Sequence, residues 1–283
     1  MRSVLDQSFR DLELIVVDDA SDDATEAVVR GVGDARIRYV RQEARRGASA
    51  ARNRGIAEAR GEFIAFQDSD DEWAAEKLQR QVDRLKSLSP DFALTQGAAQ
   101  YQGSVTRYVF ANLPAGQERT AILPCNYSIY LQAMLARRSV LRELGGFDER
   151  LPLWEDWELL IRICQEYRVD MDARVMAIIH DTPGSLVKQN NRRVESLRLI
   201  VDKHRALMAA SPKAMAANVY AIARFELLYG SAVEGRSLLL RSARLDPMRP
   251  RTWALLGLSL LGTSLIRRYV AWRDATRRLA PTS

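Results

Sequence analysis

The sequence predicts an α/β fold in which strands and helices alternate along its first 185 residues. Apolar runs of strand length are separated by stretches whose apolar residues recur every three to four positions, as expected for strands joined by helices. Two of those runs, Leu12–Val17 and Phe63–Phe66, lead directly into clustered aspartates. Because ligands of open α/β sheets bind beyond the carboxyl ends of strands, the acidic ends predict a site at one edge of the sheet.

The elements follow in order from the apolar spacing and from the residues that start and stop helices. The first predicted elements are the strand Leu12–Val17, a helix over Asp22–Val29, the strand Ile37–Arg41, the helix Ser49–Ala59, the strand Glu62–Phe66 and a helix from Ala74. The pattern continues with the strand Phe92–Gln100, a loop-like stretch over residues 103–122, a short helix within Val140–Asp148 closed by glycine, a buried helix from Trp154 and the strand Val175–Ile179.

Three carboxylates follow the strand Glu62–Phe66. Asp68 and Asp70 are two residues apart, so on an extended backbone both side chains leave the same face and can converge on one hard metal ion. The alternative is that Asp68 caps the helix predicted from Ala74. Capping requires one acid and the cluster contains three, so the pattern favours the metal site.

Five motifs occur in a fixed order and together resemble one enzyme family. They are Ile15–Ser21 (IVVDDAS), Arg46–Ile56 (RGASAARNRGI), Gly61–Trp73 (GEFIAFQDSDDEW), Gly145–Asp148 (GGFD) and Trp154–Leu159 (WEDWEL). The sequence is similar to the family 2 glycosyltransferases, which transfer sugars from nucleotide donors. The resemblance covers roughly residues 1–185 and implies the GT-A fold, a mostly parallel sheet with flanking helices.

The resemblance implies roles for single residues of this sequence. By resemblance, Asp19 would contact the nucleobase of the donor, and Arg52 and Asn53 would lie near the ribose and diphosphate. The other candidate substrate-binding residues are Asp18, Asp68 and Trp154. Asp68 and Asp70 would hold Mn²⁺ or Mg²⁺ against the diphosphate, because Asp oxygens suit these hard ions. His180 could reach the diphosphate or the metal, although a single His at a strand end is more often structural.

The acid pair before the buried helix supplies the candidate catalytic base. An acceptor hydroxyl is a poor nucleophile, so a carboxylate must take its proton. Asp156 is the first choice for this base by resemblance and Glu155 the second, while both could simply favour a helix N-terminus. Trp154 and the following Trp157 suggest a partly dehydrated pocket in which an aromatic face could stack on a sugar.

The start of the sequence departs from the family pattern. Family members open with an apolar strand, whereas this sequence begins within the helix that follows it, at Arg2–Phe9. A missing central strand would expose ladder groups on two neighbours. A non-catalytic, transferase-like binding protein is therefore the alternative to an active enzyme.

The last hundred residues are basic and helical by pattern. From Gly184 onward, 18 Lys and Arg oppose six Asp and Glu, a net +12; because the whole chain carries +6, the preceding part carries −6. Helices are predicted at Ala214–Tyr229, Ala232–Leu245 and Arg251–Arg278, and the first two weakly resemble a tetratricopeptide hairpin. We expect residues 186–283 to form a tail that either packs as a core helix with a solvated basic face or rests on anionic lipid.

Composition narrows the functional class. Two cysteines without metal spacing suit a reducing cytosol, and the basic tail lacks the interleaved aromatics of nucleic-acid binders. We expect a cytoplasmic, metal-dependent, inverting glycosyltransferase of cell-surface polysaccharide synthesis, placed peripherally at the inner membrane face. The expected donor is a UDP- or dTDP-linked sugar, and the acceptor a glycan, lipid or protein.

Overall fold

The computed structural model describes residues 1–102, 106–109, 113–125, 130–180, 190–262 and 264–270. Contacts divide the chain into two units. The first comprises Met1–Glu118, Ser128–Arg150 and Glu155–Thr182; the second comprises Arg119–Tyr127, Leu151–Trp154 and Pro183–Ser283. The main division lies close to the predicted boundary at residue 185, and the second unit also takes two short segments that the sequence assigned to the first.

The first unit begins with a small parallel sheet. The strands β1 (Leu14–Asp18) and β2 (Ile37–Arg41) pair in parallel, with Leu14 opposite Ile37, and in the described part of the chain they form a two-stranded sheet. The accompanying helices are α1 (Arg2–Leu5), α2 (Thr25–Gly31) and α3 (Ala48–Glu58). These elements confirm the alternating pattern that the sequence predicts.

A six-stranded sheet forms the rest of the first unit. Its order is β3 (Phe63–Ala65), β7 (Met134–Arg137), β5 (Phe92–Gln102), β8 (Arg168–His180) and β4 (Glu72–Trp73), with β6 (Arg107–Val109) on β5. Within this sheet β5 and β8 run parallel and the remaining pairs are antiparallel. The predicted α/β class is confirmed, with the difference that this sheet is mixed and not mostly parallel.

Helices cover the sheet through amphipathic faces. They are α4 (Lys77–Ser87), α6 (Arg138–Glu143) and α7 (Glu155–Glu166), whereas the short helix α5 (Glu118–Ala121) falls mostly in the second unit. Leu78, Val82 and Leu85 of α4 are at most 7% exposed and join the core under the sheet, and each such burial stabilises by roughly 1.5–3 kcal/mol. This helix begins later than predicted, because Trp73 pairs with β8 and the Ala74 amide donates to Met176.

The second unit is helical. Its helices are α8 (Asn190–Lys203), α9 (Arg205–Ala209), α10 (Pro212–Tyr229), α11 (Ala232–Leu245), α12 (Pro250–Leu261) and a further stretch at 264–270. The single helix predicted over Arg251–Arg278 is wrong, because Gly262 takes a φ of 121° and breaks it; the part after residue 270 lies outside the described residues. None of the described helices has the length and apolarity needed to cross a bilayer.

Candidate active site

Asp18, at the first acidic strand end, is held by hydrogen bonds from the turn that follows it and from β2. The Asp18 side chain is fully buried and accepts hydrogen bonds from the Ser21 amide (2.8 Å), the Tyr39 hydroxyl and the Arg41 guanidinium (3.0 Å). Hydrogen bonds from Ser21 and Tyr39 lower the pKa of Asp18 to about 2, against the opposing effect of burial. This geometry favours a structural role, and donor contact by Asp18 stays a prediction.

Asp19 organises the loop before α3. Its Oδ1 accepts from the Gln42 amide (2.6 Å) and the Arg46 backbone N–H (2.8 Å), and its Oδ2 accepts from the Gly47 N–H (2.7 Å). Gly47 has a φ of 91°, a conformation that favours glycine, at the N-terminus of α3. Asp19 therefore fixes the direction of α3, and its contact with a nucleobase stays a prediction.

The second acidic strand end follows β3 and forms a compact cluster. Asp68 Oδ1 lies 2.9 Å from the Arg52 guanidinium, and Asp68 Oδ2 accepts from Gln132 Nε2 at 2.6 Å. The same Gln132 nitrogen donates to Asp71 Oδ2 at 2.8 Å. Asp70 between them is exposed. Oxygens of Asp68 and Asp71 thus converge on one point, while Asp70 faces solvent.

Asp71 connects this cluster to the end of β8. Its Oδ1 accepts the His180 backbone N–H (2.9 Å), and the His180 ring nitrogen lies 3.1 Å from Glu72. Burial, reinforced by the charges of Asp70 and Asp68, raises the pKa of Asp71 to about 6. His180 therefore lies beside the cluster, against Asp71 and Glu72, and its predicted role as a ligand of metal or diphosphate is untested.

One guanidinium links the cluster to the candidate base region. Arg52 of α3 lies 2.9 Å from Asp68 and 2.5 Å from Glu155 Oε1, with 17% of its side chain exposed. Its Cζ lies 5.8 Å from the Phe147 ring, which meets Phe66 edge-to-face at 5.2 Å. Asp68, which the sequence assigned to donor and metal, and Glu155, the second choice for the base, therefore contact the same guanidinium.

Gly146 of the GGFD motif allows Asn53 of α3 to pack closely against the loop that contains the motif. The Asn53 amide donates to the Phe147 carbonyl (2.9 Å) and accepts the Phe147 N–H (2.8 Å). A Cβ on Gly146 would lie 2.3 Å from Asn53, and Gly146 also has a φ of 68°. Arg162 of α7 holds the carbonyls of Leu144 and Gly146 at 2.5 and 2.6 Å. These contacts fix α3 and α7 to the same loop. The side chain of Asn53 makes the two hydrogen bonds that hold α3 there.

Asp156 lies in the first turn of α7 and is partly buried. Its Oδ1 accepts the Trp157 backbone N–H at 2.7 Å, whereas neighbouring Glu155 forms the ion pair with Arg52. Burial, reinforced by the charge of Glu155, raises the pKa of Asp156 to about 7, although the Trp157 N–H and Arg52 oppose the shift. A carboxylate with a pKa near neutrality can accept a proton at physiological pH.

Trp154 belongs to the second unit by its contacts. Its φ of 62° is rare for a bulky residue, and its ring lies 6.4 Å from that of Phe225. A backbone outlier of this kind is held by its surroundings and occurs often at functional sites. The predicted stacking of Trp154 on a sugar is untested.

The acid cluster consists of carboxylate oxygens, which are the ligands that a hard divalent cation prefers. Three carboxylates lie within four residues, and burial together with the charges of its neighbours raises the pKa of Asp71 to about 6. Across the described ranges, no three His, Cys, Asp or Glu side chains form a ready-made metal cage. Asp68 and Asp70 therefore fit Mn²⁺ or Mg²⁺ as partial ligand sets, which other oxygens must complete.

Sequence reasoning missed Gln132. The residue lies in a 3₁₀ turn (Leu131–Ala133) that leads into β7, and it is 7% exposed. Its sole signal in the sequence is a polar side chain within an otherwise apolar run. Its contact with Asp68 and Asp71 joins positions more than 60 residues apart, which no local pattern reveals.

The chain resembles solved structures along its whole length. TarS of S. aureus, solved in complex with UDP, covers 100% of this chain and 87% of its own, with a TM-score of 0.60 and 18% identity. The mannosyltransferase PcManGT of Pyrobaculum calidifontis, solved with GDP-Man and Mn²⁺, covers 93% and 80%, with a TM-score of 0.57 and 22% identity. At such identities the similarity shows the fold, which is the GT-A fold that the motifs predict.

Curated relatives are similar over shorter ranges. Succinoglycan biosynthesis protein ExoO of Rhizobium meliloti is 32% identical over 171 residues, which are 56% of this chain and 49% of that protein. The glucosyltransferase WfgD of Escherichia coli, named for UDP-Glc and α-D-GlcNAc-diphosphoundecaprenol, is 45% identical over 83 residues, 29% of this chain and 33% of its own. This chain thus spans half or less of the length of each.

The family assignment rests on the segment that carries the two acidic strand ends. The model of glycosyl transferase family 2 matches residues 1–145, just over half of the chain. That range includes both acidic strand ends, Arg52 with Asn53, and Gln132. With four of the five motifs at least partly inside the match and the fold shared by solved transferases, the chain belongs to glycosyl transferase family 2.

Proposed function

We propose that this chain is a metal-dependent glycosyltransferase that moves a sugar from a nucleoside-diphosphate donor to a hydroxyl of a polysaccharide precursor. The observation that carries the proposal is the Arg52 guanidinium between Asp68 and Glu155, at 2.9 and 2.5 Å. It links Asp68, which is suited to a cation, to the first turn of α7, where Asp156, the acid suited to proton transfer, directly follows Glu155. A transferase needs both functions within reach of one anomeric carbon.

The donor half of the reaction would use Asp68 and Asp70. Both oxygens of Asp68 accept hydrogen bonds, from Arg52 and from Gln132, and Asp70 is exposed. Asp68 and Asp70 would contact the cation together, as the DxD spacing predicts. A bound Mn²⁺ or Mg²⁺ neutralises the charge that develops on a diphosphate leaving group. Arg52, a fixed cation at the same place, is suited to a phosphate oxygen.

The acceptor half would use Asp156. Its carboxylate takes the proton of the acceptor hydroxyl while that oxygen attacks the anomeric carbon, and the bond to the diphosphate breaks. Glu155 is less suited to this step because it is paired with Arg52. A single base and a direct displacement invert the anomeric configuration. Inversion is therefore part of the proposal.

The substrate class is inferred from the relatives. Their names concern succinoglycan, teichuronic acid and a glucosyltransferase acting on a diphosphoundecaprenol-linked sugar. We infer a UDP-, dTDP- or GDP-linked donor and a lipid-linked glycan acceptor. The cytoplasmic location and the peripheral membrane contact expected from the sequence belong to the same proposal.

Asp70→Ala tests the metal half of the proposal. Titration calorimetry would measure binding of UDP, dTDP and GDP with and without Mn²⁺ to the parent, to Asp70→Ala and to the matched control Asp83→Ala on the exposed face of α4. We expect Mn²⁺ to strengthen nucleotide binding in the parent and the control but not in Asp70→Ala. Equal Mn²⁺-dependent affinity in all three proteins would contradict the assignment of Asp70.

A further inference from the structure

The side chain of Gln132 lies between two carboxylates of the acid cluster. Because both partners are carboxylate oxygens, the atom 2.6 Å from Asp68 and 2.8 Å from Asp71 must be the amide nitrogen, and each of its two hydrogens serves one acid. We propose that Gln132 is a positioning residue that ties Asp68, one of the two proposed ligands, to Asp71 and so determines how tightly Asp68 and Asp70 bind a divalent cation. This inference rests on the metal-dependent function proposed above.

A neutral donor has a specific advantage at this position. Two carboxylates that share a site repel each other, so something must hold them together before a cation arrives. A Lys or Arg in place of Gln132 would do so but would add a second positive charge to the one that Arg52 already places beside Asp68, and would further weaken the attraction for a cation. The neutral amide of Gln132 holds both acids without adding charge. Second-sphere hydrogen bonds of this kind orient ligands for metals in general.

Three buried polar side chains donate hydrogen bonds to backbone carbonyls in and around the turn that contains Gln132. Gln96 donates to the Tyr130 carbonyl at 3.1 Å, Gln81 to Ala133 at 2.9 Å and Lys77 to Met134 at 3.0 Å. All three donors are at most 2% exposed. Buried polar groups of this kind are costly unless they are paired, so their hydrogen bonds fix the turn strongly.

The network therefore runs from the core to the acids. Lys77 also donates to Gln81 at 2.6 Å, which links two of the three supports. On either side of Gln132 the backbone carbonyls have fixed partners, and its amide meets Asp68 and Asp71 in defined directions. Metal sites require that side chains around the ligands be held to within a fraction of an ångström. The hydrogen bonds around Gln132 would hold its side chain in this way.

The test compares Gln132→Leu with a matched control, Gln79→Leu. Gln79 also donates its amide to an aspartate, Asp83, but on the surface of α4. Electron paramagnetic resonance would measure free Mn²⁺ during titration in the presence of whichever of UDP, dTDP or GDP binds the parent. We expect Gln132→Leu to bind Mn²⁺ about 10–100-fold more weakly than the parent and Gln79→Leu to bind it equally.

Two further measurements separate positioning from a purely structural role. Gln132→Asn keeps the amide but shortens its reach by one methylene, so we expect weaker Mn²⁺ binding in a protein whose thermal midpoint stays near that of the parent. Nucleotide affinity in EDTA should be the same in all variants. Parent-like Mn²⁺ affinity in either Gln132 variant would overturn the inference alone, whereas a parent that binds no Mn²⁺ with any nucleotide would overturn the proposed function together with it.

Discussion

Glu155 and Asp156 are consecutive carboxylates that meet different environments. Glu155 is neutralised by Arg52, whereas Asp156 accepts a backbone N–H and has its pKa raised to about 7. Different environments of two neighbouring acids commonly mark a division of roles in an active site. Here the ion-paired acid is suited to fixing Arg52, and the acid with the raised pKa is suited to proton transfer.

Asp156→Asn should reduce kcat by about 10²–10⁴-fold, because the variant keeps the shape of the side chain and removes the proton acceptor. Donor affinity should stay within a few-fold of the parent. Steady-state kinetics and nucleotide titration would be compared with Glu166→Gln at the exposed far end of α7, for which we expect parent-like values. Most of the activity surviving in Asp156→Asn would move the base elsewhere.

The pH profile of the parent tests the same carboxylate independently. A base works only in its deprotonated form, and burial beside Glu155 raises the pKa of Asp156 to about 7. We therefore expect kcat/KM to rise with pH through about 7 and to level off above it. A profile already flat between pH 5 and 8 would show that the base titrates in the ordinary range of a carboxylate.

At the scale of elements, sequence patterns predict the bounds of those helices and strands that interactions between near neighbours in the chain determine. Strand β2 (Ile37–Arg41) has the predicted bounds, and α3 lies within one residue of its predicted range, because apolar spacing and capping residues act within a few positions. The second acidic strand end was predicted for the same reason. Lys77 and Gln132 were not predicted, because burial of a lysine and contact with distant acids depend on tertiary packing.

Lys77 gives α4 a pH-dependent contribution to stability. Complete burial lowers the pKa of Lys77 to about 7 from 10.5, so between these values the unfolded chain binds a proton that the folded chain does not. Stability due to this group therefore rises with pH across that window and is lowest below about pH 7. The rise amounts to about 1.4 kcal/mol per pH unit at most.

Lys77→Met removes the ionisable group while filling a similar volume. The variant also loses the hydrogen bonds of Lys77 to Gln81 and Met134, at a cost that changes little with pH. We therefore expect the thermal midpoint of the variant, relative to that of the parent, to fall progressively between pH 6 and pH 9. Thermal melts of both proteins over this range measure the difference, in which contributions of other titrating groups cancel. A difference that is constant with pH would show that Lys77 titrates alike in the folded and unfolded chain.

At the scale of the whole molecule, charge is divided along the sequence. Residues from Gly184 onward carry +12 and the preceding residues −6. In the second unit, Trp253, Leu260 and Leu261 are 49%, 71% and 71% exposed, and Arg267 and Arg268 are exposed in the helical stretch that follows. Exposed apolar side chains beside basic ones are typical of helices that rest on anionic membranes. A further arginine pair, Arg277 and Arg278, lies outside the described residues.

Arg267→Glu/Arg268→Glu should weaken binding to anionic vesicles, because each basic residue near such a surface contributes about 1 kcal/mol and reversal adds repulsion. Co-sedimentation with phosphatidylglycerol vesicles at low and high salt measures the effect, which salt should reduce in the parent. The control Arg2→Glu/Lys86→Glu makes the same charge change at exposed positions of the first unit and should bind like the parent. Nucleotide binding should be unchanged in both variants, since neither touches the acid cluster. Equal sedimentation of the two variants would show that Arg267 and Arg268 do not determine the contact with the vesicles. If the parent does not sediment with the vesicles, the basic helices would instead be a surface for protein partners.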